Sequence, residues 1–248
     1  EGLAGFAADT CTDHYVKLLF PPSEGVTYPE PFDMERIREE LPREQWPVTR
    51  TYTVRAFDPE SLELTLDFVV HGDEGLAGPW AARVQPGETV RFMGPGGAYA
   101  PDLSADWHLF VGDESALPAI ARSLESLPQG TVAHAFVEVS GPEEEQKIDS
   151  DVEVVWLHRG DRPVGELLAE AVRALEFPEG RMHAFVHGEA HFVKELRQLL
   201  RVELQIPRED LSISGYWRLG HNEDGWQASK REWNAAIEAE QEGAAPAA

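Results

Sequence analysis

Arg50, Tyr52 and Thr53 stand at i, i+2 and i+3 in the run Arg50-Thr51-Tyr52-Thr53-Val54-Arg55, at the start of a strand-like pattern. Three different forces act from those positions. A guanidinium pairs a phosphate through two parallel hydrogen bonds. A phenol ring stacks on an aromatic face. A threonine hydroxyl hydrogen-bonds a heteroatom on a ring edge. A flavin dinucleotide has all three features. The run also reads as an ordinary half-buried strand, with Tyr52, Val54 and Ala56 alternating against Thr53, Arg55 and Phe57. On these residues alone both readings stay open.

Later segments add chemistry. His71-Gly72 ends a strand pattern, and Ala77-Gly78-Pro79-Trp80-Ala81 enters a short helix. Exposed amides at that start, with His71 as a donor, receive a ligand phosphate. Trp80 stacks on a ring or fills a core. The turn Gly112-Asp113-Glu114-Ser115-Ala116-Leu117-Pro118 joins a strand to a helix. A dinucleotide pyrophosphate wants G-x-G-x-x-G there, with free amides and no acids. Asp113 and Glu114 repel phosphate, so this turn is no pyrophosphate cradle. It either serves its helix start electrostatically or lies beside a reacting ring and its ribose. Gly94-Pro95-Gly96-Gly97 has no helix after it and reads as a tight barrel corner. Arg159 and Arg162 follow a strand, where an adenosine ribose would lie. An arginine there receives a 2′-phosphate, or is an ordinary loop residue; a mild preference for NADPH over NADH is the expectation.

His183, His187 and His191 are spaced by four. A zinc H-E-x-x-H motif needs the acid next to the first histidine and both histidines on one helix. Gly188 breaks the chain at a strand-to-helix junction, so no metal site is expected. Neither hydroxyls nor the thiol have a Ser–His–Asp or Cys–His context, which excludes hydrolase chemistry. Cys11 is the only cysteine. That rules out an intramolecular disulfide and a thiolate zinc or iron–sulfur site. It points to a reducing compartment, the cytoplasm.

The elements that must position these residues change rhythm near residue 104. Residues 14–20, 50–57, 62–70 and 89–93 read as strands joined by Pro- and Gly-rich connectors, with short helices over 33–41 and 77–83. That is the pattern of a small antiparallel barrel. Then strands 107–111, 131–138, 152–157, 182–187 and 211–215 alternate with helices 115–126, 164–175 and 189–202. Apolar strands alternating with amphipathic helices indicate a parallel α/β sheet. The acidic stretch 141–151 reads as a solvated loop. A long helix over 224–241 follows, and Gly243 to Ala248 reads as a disordered tail. The expected units are a barrel over 1–104, an α/β domain over 105–221, and a helix with its tail over 222–248. A barrel followed by an open parallel sheet places a crevice where the two meet.

Composition sets the outer limits. The 248 residues suffice for two modest domains with their own cores. Mean hydropathy is −0.37 and 42% of residues are hydrophobic, ordinary for a globular chain. Acids outnumber bases 45 to 21, for a net charge of −24. Such a field repels nucleic acid and anionic membrane surfaces. An anionic ligand therefore needs a local basic pocket. No run reaches the roughly 18 apolar residues of a spanning helix, so no membrane insertion is expected. No exposed apolar stripe is evident, which favours a monomer.

Seven motifs in register carry a family resemblance. They are Arg50-Thr51-Tyr52-Thr53-Val54-Arg55 with Phe57-Asp58, Asp67-Phe68-Val69 with His71-Gly72, and Gly78-Pro79-Trp80-Ala81. Gly94-Pro95, the Gly112-to-Pro118 turn, Gly188-Glu189 and Gly215-Tyr216-Trp217-Arg218 complete the set. Together, from about Gly5 to Trp233, the chain resembles the siderophore-interacting proteins, flavin-dependent ferric-siderophore reductases. The resemblance implies a ferredoxin-reductase-like α/β two-domain fold: an antiparallel FAD-binding β-barrel followed by a parallel α/β nicotinamide-binding domain. It implies that Arg50, Tyr52 and Thr53, and then His71, Ala77, Trp80 and Ala81, hold FAD. Asp113, Glu114, Ser115, Gly188 and Glu189 match the nicotinamide side, and Tyr216 and Trp217 the segment returning toward the flavin. The helix with Trp226, Lys230 and Trp233 looks like the subgroup with a C-terminal extension, where Lys230 matches a lysine near the active site; a solvent-facing helix lysine is the plain alternative. Arg218 and Lys230 are then the candidate siderophore contacts. The family's first barrel strand is missing before Gly2, which points to a truncated start.

The implied function is transfer of electrons from NADPH or NADH through FAD to iron(III) in a siderophore. The flavin reconciles a two-electron donor with a one-electron acceptor. The negative field favours neutral or weakly charged chelates such as hydroxamates. The alternatives are a siderophore-binding flavoprotein reduced by ferredoxin or another carrier, and a general flavin reductase.

Overall fold

Alternating polar and apolar residues in the first hundred positions build an antiparallel sheet, and the continuous apolar runs that follow build a parallel one. The computed structural model describes residues 2–23, 25–70, 72 and 75–243. His71, with Asp73 and Glu74, lies outside the described residues, as does the expected tail beyond Gly243.

The first sheet comprises β1 (Tyr15–Phe20), β2 (Val48–Asp58), β3 (Glu63–Leu66) and β4 (Arg91–Gly96), ordered β3-β2-β1-β4. All pairings are antiparallel. Val16, Leu18, Val54 and Ala77 form its buried core, with Phe57, Phe92 and Trp80 packed against it. Two short helices, α1 (Met34–Glu40) and α2 (Ala77–Arg83), accompany it. The edges β3 and β4 do not pair with each other, so among the described residues the sheet is an open form of the expected barrel. The strand expected over 62–70 stops at Leu66. Val69 and Val70 beyond it are 44% and 54% exposed. The Gly94-Pro95 segment lies inside β4, where pairing with β1 slips between Tyr15 and Lys17. It is a bulge rather than a corner.

The second sheet has the order β7-β6-β5-β8-β9 and is parallel throughout. Its strands are β5 (Trp107–Gly112), β6 (Ala133–Val139), β7 (Val154–His158), β8 (Met182–Glu189) and β9 (Leu211–Trp217). The central pair, β5 and β8, is buried from end to end. Helix α3 (Leu117–Ser126) packs over Phe110, Ala135 and Phe185. Helices α4 (Glu166–Ala174) and α5 (Ala190–Arg197) cover the opposite face. The helix expected over 189–202 begins one residue later, because Glu189 still belongs to β8, and widens into a π turn over Gln198–Glu203. Strand order reverses between β5 and β8. That reversal opens a crevice at the carboxyl ends of those strands.

Helix α6 (Glu223–Glu242) runs beside β9. Asn222 caps it, its Oδ1 accepting from Gly225 N at 2.8 Å. Trp226, Ile237 and Gln241 are buried on its inner face. Trp226 is 1% exposed and donates to Gly215 O at 3.3 Å. The two sheets are joined at α3. Arg122 donates to Val54 O and Ala8 O at 3.1 and 2.7 Å, and Arg55 pairs Glu125 through two bonds of 2.8 and 2.6 Å. Among the described residues, no helix is long and apolar enough to cross a membrane and no His, Cys, Asp and Glu group could hold a metal ion.

Candidate active site

Regular pairing of β1 with β2 keeps the two-residue alternation through Thr53. Arg50 and Tyr52 therefore share one face of β2, and Thr53 turns to the other. The Tyr52 ring lies 4.2 Å from Phe68, and Phe68 lies 5.8 Å from Trp80. Trp80 packs edge-on to Phe20 at 5.6 Å, so its ring is part of the core wall. Ala77 is buried in the same core, and Ala81 is half-buried one turn later. Val69 and Val70 extend this aromatic strip into the open, while Asp67 Oδ2 is buried with no partner. Burial pushes the Tyr52 phenol up to about 12, with Glu223 adding to the effect.

Helix α6 reaches this strip with its first turn. Arg50 Nη1 is 3.1 Å from Asp224 Oδ2 and its Nε is 4.0 Å from Glu223 Oε2. Glu223 Oε1 also accepts from Thr51 N at 3.0 Å. Burial raises the Glu223 carboxyl above its ordinary value. The same helix thus bridges β2 of the first sheet and β9 of the second, and it walls the crevice between them.

At the strand reversal Asp113 is fully buried. Its Oδ1 accepts from Ser115 N and Ser115 Oγ at 2.9 and 2.5 Å. Its Oδ2 accepts from Glu189 N and Trp217 Nε1, both at 2.8 Å. One carboxylate therefore ties the ends of β5, β8 and β9 together. Gly188 makes room for it, since a Cβ there would meet the Asp113 carboxyl at 2.7 Å. Burial lifts the carboxyl to about 6 in spite of these bonds. Glu189 is 2% exposed. It accepts from His191 N at 2.6 Å and Leu219 N at 3.0 Å. Asp113 and Glu189 are buried and hold the strand ends that frame the crevice, with Ser115 half-buried beside them.

Beside them Glu114 holds Arg159, with Arg159 Nη2 at 2.9 Å from Glu114 Oε1. Glu138 adds a second carboxylate at 3.3 Å. On the other side, Tyr216 meets the His187 ring edge-on at 4.9 Å, and His187 Nε2 lies 2.9 Å from Ser212 Oγ. Lys230 Nζ donates to Ser214 Oγ at 3.0 Å, and burial lowers its pKa. Lys230 thus points inward, which removes the solvent-facing alternative. Arg218 lies over the Trp233 ring at 3.9 Å, and its Nε is buried without a partner. The two carboxylates on Arg50 and the Glu138 contact carry no local sequence signal, because each depends on a partner far along the chain.

This arrangement has known counterparts. The family described as siderophore-interacting protein matches residues 105–220, and the siderophore-interacting FAD-binding domain matches residues 1–99. The chain belongs to the siderophore-interacting protein family. A ferric vibriobactin reductase of Vibrio cholerae is 35% identical over 93% of this chain and 85% of its own. An NADPH-dependent ferric-chelate reductase of Escherichia coli is 30% identical over 88% of this chain and 84% of its own. Among solved structures, a siderophore utilization protein from T. fusca superposes at TM-score 0.75, with 37% identity over 89% of this chain and 85% of that one. A ferredoxin-NADP+ reductase from Plasmodium falciparum, at 10% identity over 84% of each chain and TM-score 0.57, shares the fold. The siderophore-interacting protein is thus built on the ferredoxin-reductase plan, an FAD-binding sheet followed by an α/β unit.

The residues at the crevice fit an FAD. Arg50 carries a guanidinium suited to a diphosphate, and Tyr52 with Phe68 forms an aromatic pair suited to a flat ring. Val69 and Val70 are apolar and open beside them, and Asp67 Oδ2 has no protein partner. An exposed apolar edge next to a buried orphan acceptor is the surface that an amphipathic ring system covers.

Proposed function

We propose that this protein is a ferric-siderophore reductase. It passes electrons from a reduced nicotinamide nucleotide through FAD to iron(III) held by a siderophore and releases iron(II). What supports the reading is that one helix, α6, carries both the acids that meet Arg50 beside Tyr52 and the inward-facing Lys230 bonded to Ser214 of β9. The names of its relatives support the same chemistry.

Bound FAD supplies the exchange between a two-electron donor and a one-electron acceptor. The chain's own residues orient and exclude. Arg50 neutralises the diphosphate against a net charge of −24. Tyr52, Phe68 and Trp80 present the ring surface, and residues 67–70 lie along its edge; Thr53, buried on the other face of β2, would reach the ring only through its backbone. His71 belongs to the same flavin segment in this proposal. Asp113 fixes Trp217 and Glu189, so that the nicotinamide meets a preformed wall. Helix α6 limits water from the β9 side. Lys230 and Arg218 are the cations placed to meet an oxygen-rich chelate. The iron arrives already coordinated, so no protein ligand is required. The weakly compensated negative field favours neutral chelates such as trishydroxamates. The single cysteine and the need for a reduced nicotinamide favour a cytoplasmic location, and we take the protein to work as a monomer.

An anaerobic titration tests the reading. The purified protein, loaded with FAD, is expected to bleach on addition of NADH or NADPH and to recover its colour when a ferric trishydroxamate is added. An iron(II) chelator in the same cuvette should report the released metal. A protein that takes up no FAD rejects the proposal. A flavin that bleaches only with reduced ferredoxin would reassign the electron donor.

A further inference from the structure

The carboxyl ends of β5, β6 and β7 bring three charged side chains into one cluster. Glu114 follows β5, Glu138 is the penultimate residue of β6, and Arg159 directly follows β7. Arg159 Nη2 donates to Glu114 Oε1 at 2.9 Å, and its Nη1 lies 3.3 Å from both Glu114 Oε2 and Glu138 Oε1. Glu138 Oε1 accepts from Gly165 N at 2.8 Å as well. The other oxygen, Glu138 Oε2, is buried with no partner. Two carboxylates face one guanidinium, so the cluster carries a net negative charge.

The direction of a nicotinamide dinucleotide follows from the fold. The first turn of α6, which meets Arg50 and Thr51 beside Tyr52, stands on the β9 side of the strand reversal. The nicotinamide end must approach that side to reach a flavin. The adenosine end then extends the other way, across the ends of β5, β6 and β7, where the cluster lies. In sheets of this order, an acid at the end of the second strand accepts from the ribose 2′-hydroxyl, whereas a free arginine nearby receives a 2′-phosphate. Glu138 occupies the first of these positions. Arg159 occupies the second in sequence, but its donors are already committed. Arg162, the other arginine of the loop, pairs with Glu166 at 3.2 Å and Glu170 at 2.6 Å. His158 pairs with Glu145 at 2.7 Å.

We propose that Glu114 and Glu138, by engaging Arg159 and leaving a carboxylate oxygen for a ribose hydroxyl, make this protein selective for NADH over NADPH. The proposal rests on the reductase reading above. A 2′-phosphate is mostly dianionic at neutral pH, with a second pKa of about 6, and so brings negative charge and few hydrogen-bond donors. It meets two carboxylates and must draw Arg159 away from both. A 2′-hydroxyl brings a donor, and a carboxylate is an acceptor only. The preference expected from the Arg159 position alone is thereby reversed, because the side chain that would take the phosphate is already paired.

Binding and turnover are measured together on the FAD-loaded protein. ADP-ribose and 2′-phospho-ADP-ribose, titrated by calorimetry, report the adenosine end without any redox step. The unphosphorylated probe is expected to bind on the order of tenfold more tightly, with kcat/KM for NADH exceeding that for NADPH by a similar factor. Glu114→Gln and Glu138→Gln each remove one negative charge and keep the oxygen that faces Arg159. Either should move both ratios toward the phosphorylated form. Glu114 is the more accessible of the two, so its variant guards against misfolding of the other. Arg159→Ala should not selectively weaken the phosphorylated probe in the wild-type background. A wild-type preference for 2′-phospho-ADP-ribose, or ratios unmoved by both glutamine variants, overturns the proposal while the reductase reading stands. Binding of neither probe, with no turnover of NADH or NADPH, overturns the proposal and with it a nicotinamide as the electron donor.

Discussion

Arg50 in β2 and Asp224 in the first turn of α6 lie 174 residues apart in the chain and meet at 3.1 Å. Glu223 stands beside them and also takes the Thr51 amide. The guanidinium proposed to bind a diphosphate is thus shared with two acids of the C-terminal helix. Asp224 is 59% exposed, so its pull is worth no more than about 1 kcal/mol. Arg50→Ala is expected to weaken FAD binding by roughly 10- to 100-fold, the value of a charge-assisted contact. Asp224→Asn should tighten FAD a few-fold, and that gain should shrink as salt is added. Quenching of flavin fluorescence at two ionic strengths measures both. An unchanged dissociation constant in Arg50→Ala removes Arg50 from the diphosphate site.

Three buried histidines on β5 and β8 set an acid limit on stability. Burial lowers His108 to about 4 and His187 to about 3, and it lowers His183 as well. Unfolded histidine titrates near 6.5. Between the folded and unfolded values the unfolded chain binds more protons, so stability falls as pH drops below about 6.5. Asp113 acts in the opposite sense. Its carboxyl is raised to about 6, so its contribution is present below the ordinary carboxylate range and is lost as pH rises through 6. Burial raises Glu138 and Glu223 in the same sense as Asp113, so the histidine contribution is isolated by substituting one histidine. His187 stacks on Phe185 at 3.8 Å, an arrangement a phenyl ring preserves. His187→Phe should cost about 1 kcal/mol at pH 7 through the lost Ser212 bond. It should also remove roughly 2 kcal/mol of the stability difference between pH 6.5 and 5. Urea unfolding at the two pH values checks this; an unaltered difference would mean that His187 does not titrate on unfolding.

Asp113 is expected to matter more to architecture than to ligand contact. Asp113→Ala strands Trp217 Nε1, the Glu189 amide and the Ser115 hydroxyl in a buried place. The loss should be about 3–5 kcal/mol. Asp113→Asn keeps the volume but turns an amide nitrogen toward one pair of donors, at a cost of about 1–3 kcal/mol. Melting temperature, followed through tryptophan fluorescence, should rank the two in that order. Equal stability of both variants and the wild type would contradict the tie between β5, β8 and β9.

The sequence showed the strand-and-helix order because the period of the apolar residues changes from alternation to continuous runs. It showed the pair Arg50 and Tyr52 because two positions on one strand face are a local fact. Boundaries moved where a partner decides them. Strand β3 stops at Leu66 although Phe68, Val69 and Val70 continue the apolar run, and Gly94-Pro95 proved to be a bulge within β4. The roles that moved furthest were those of charged residues. Asp113 binds the Glu189 amide and the Trp217 ring, Glu189 binds the Leu219 amide, and Arg159 is engaged by Glu114 and Glu138. A charge's partner is set by topology, and spacing along the chain does not reveal it.

Lys230 separates a structural from a functional account of α6. Trp226, Lys230 and Trp233 fall at i, i+4 and i+7, on one face of the helix. That face is turned inward, and Lys230 Nζ has Ser214 Oγ as its partner and no carboxylate among the described residues. Burial lowers its pKa, so the folded state disfavours the charge it carries. A lysine retained there only for packing would be improved by methionine, which keeps the stem and discards the charge. Lys230→Met is therefore expected to raise stability by about 1 kcal/mol. If the ammonium meets the chelate, the same change should slow reoxidation of the reduced flavin by a ferric trishydroxamate by about tenfold or more. Bleaching by NADH should stay as in the wild type. Stopped-flow recording of the two half-reactions distinguishes these outcomes. Equal reoxidation rates in wild type and variant, together with the gain in stability, would leave Lys230 a packing residue.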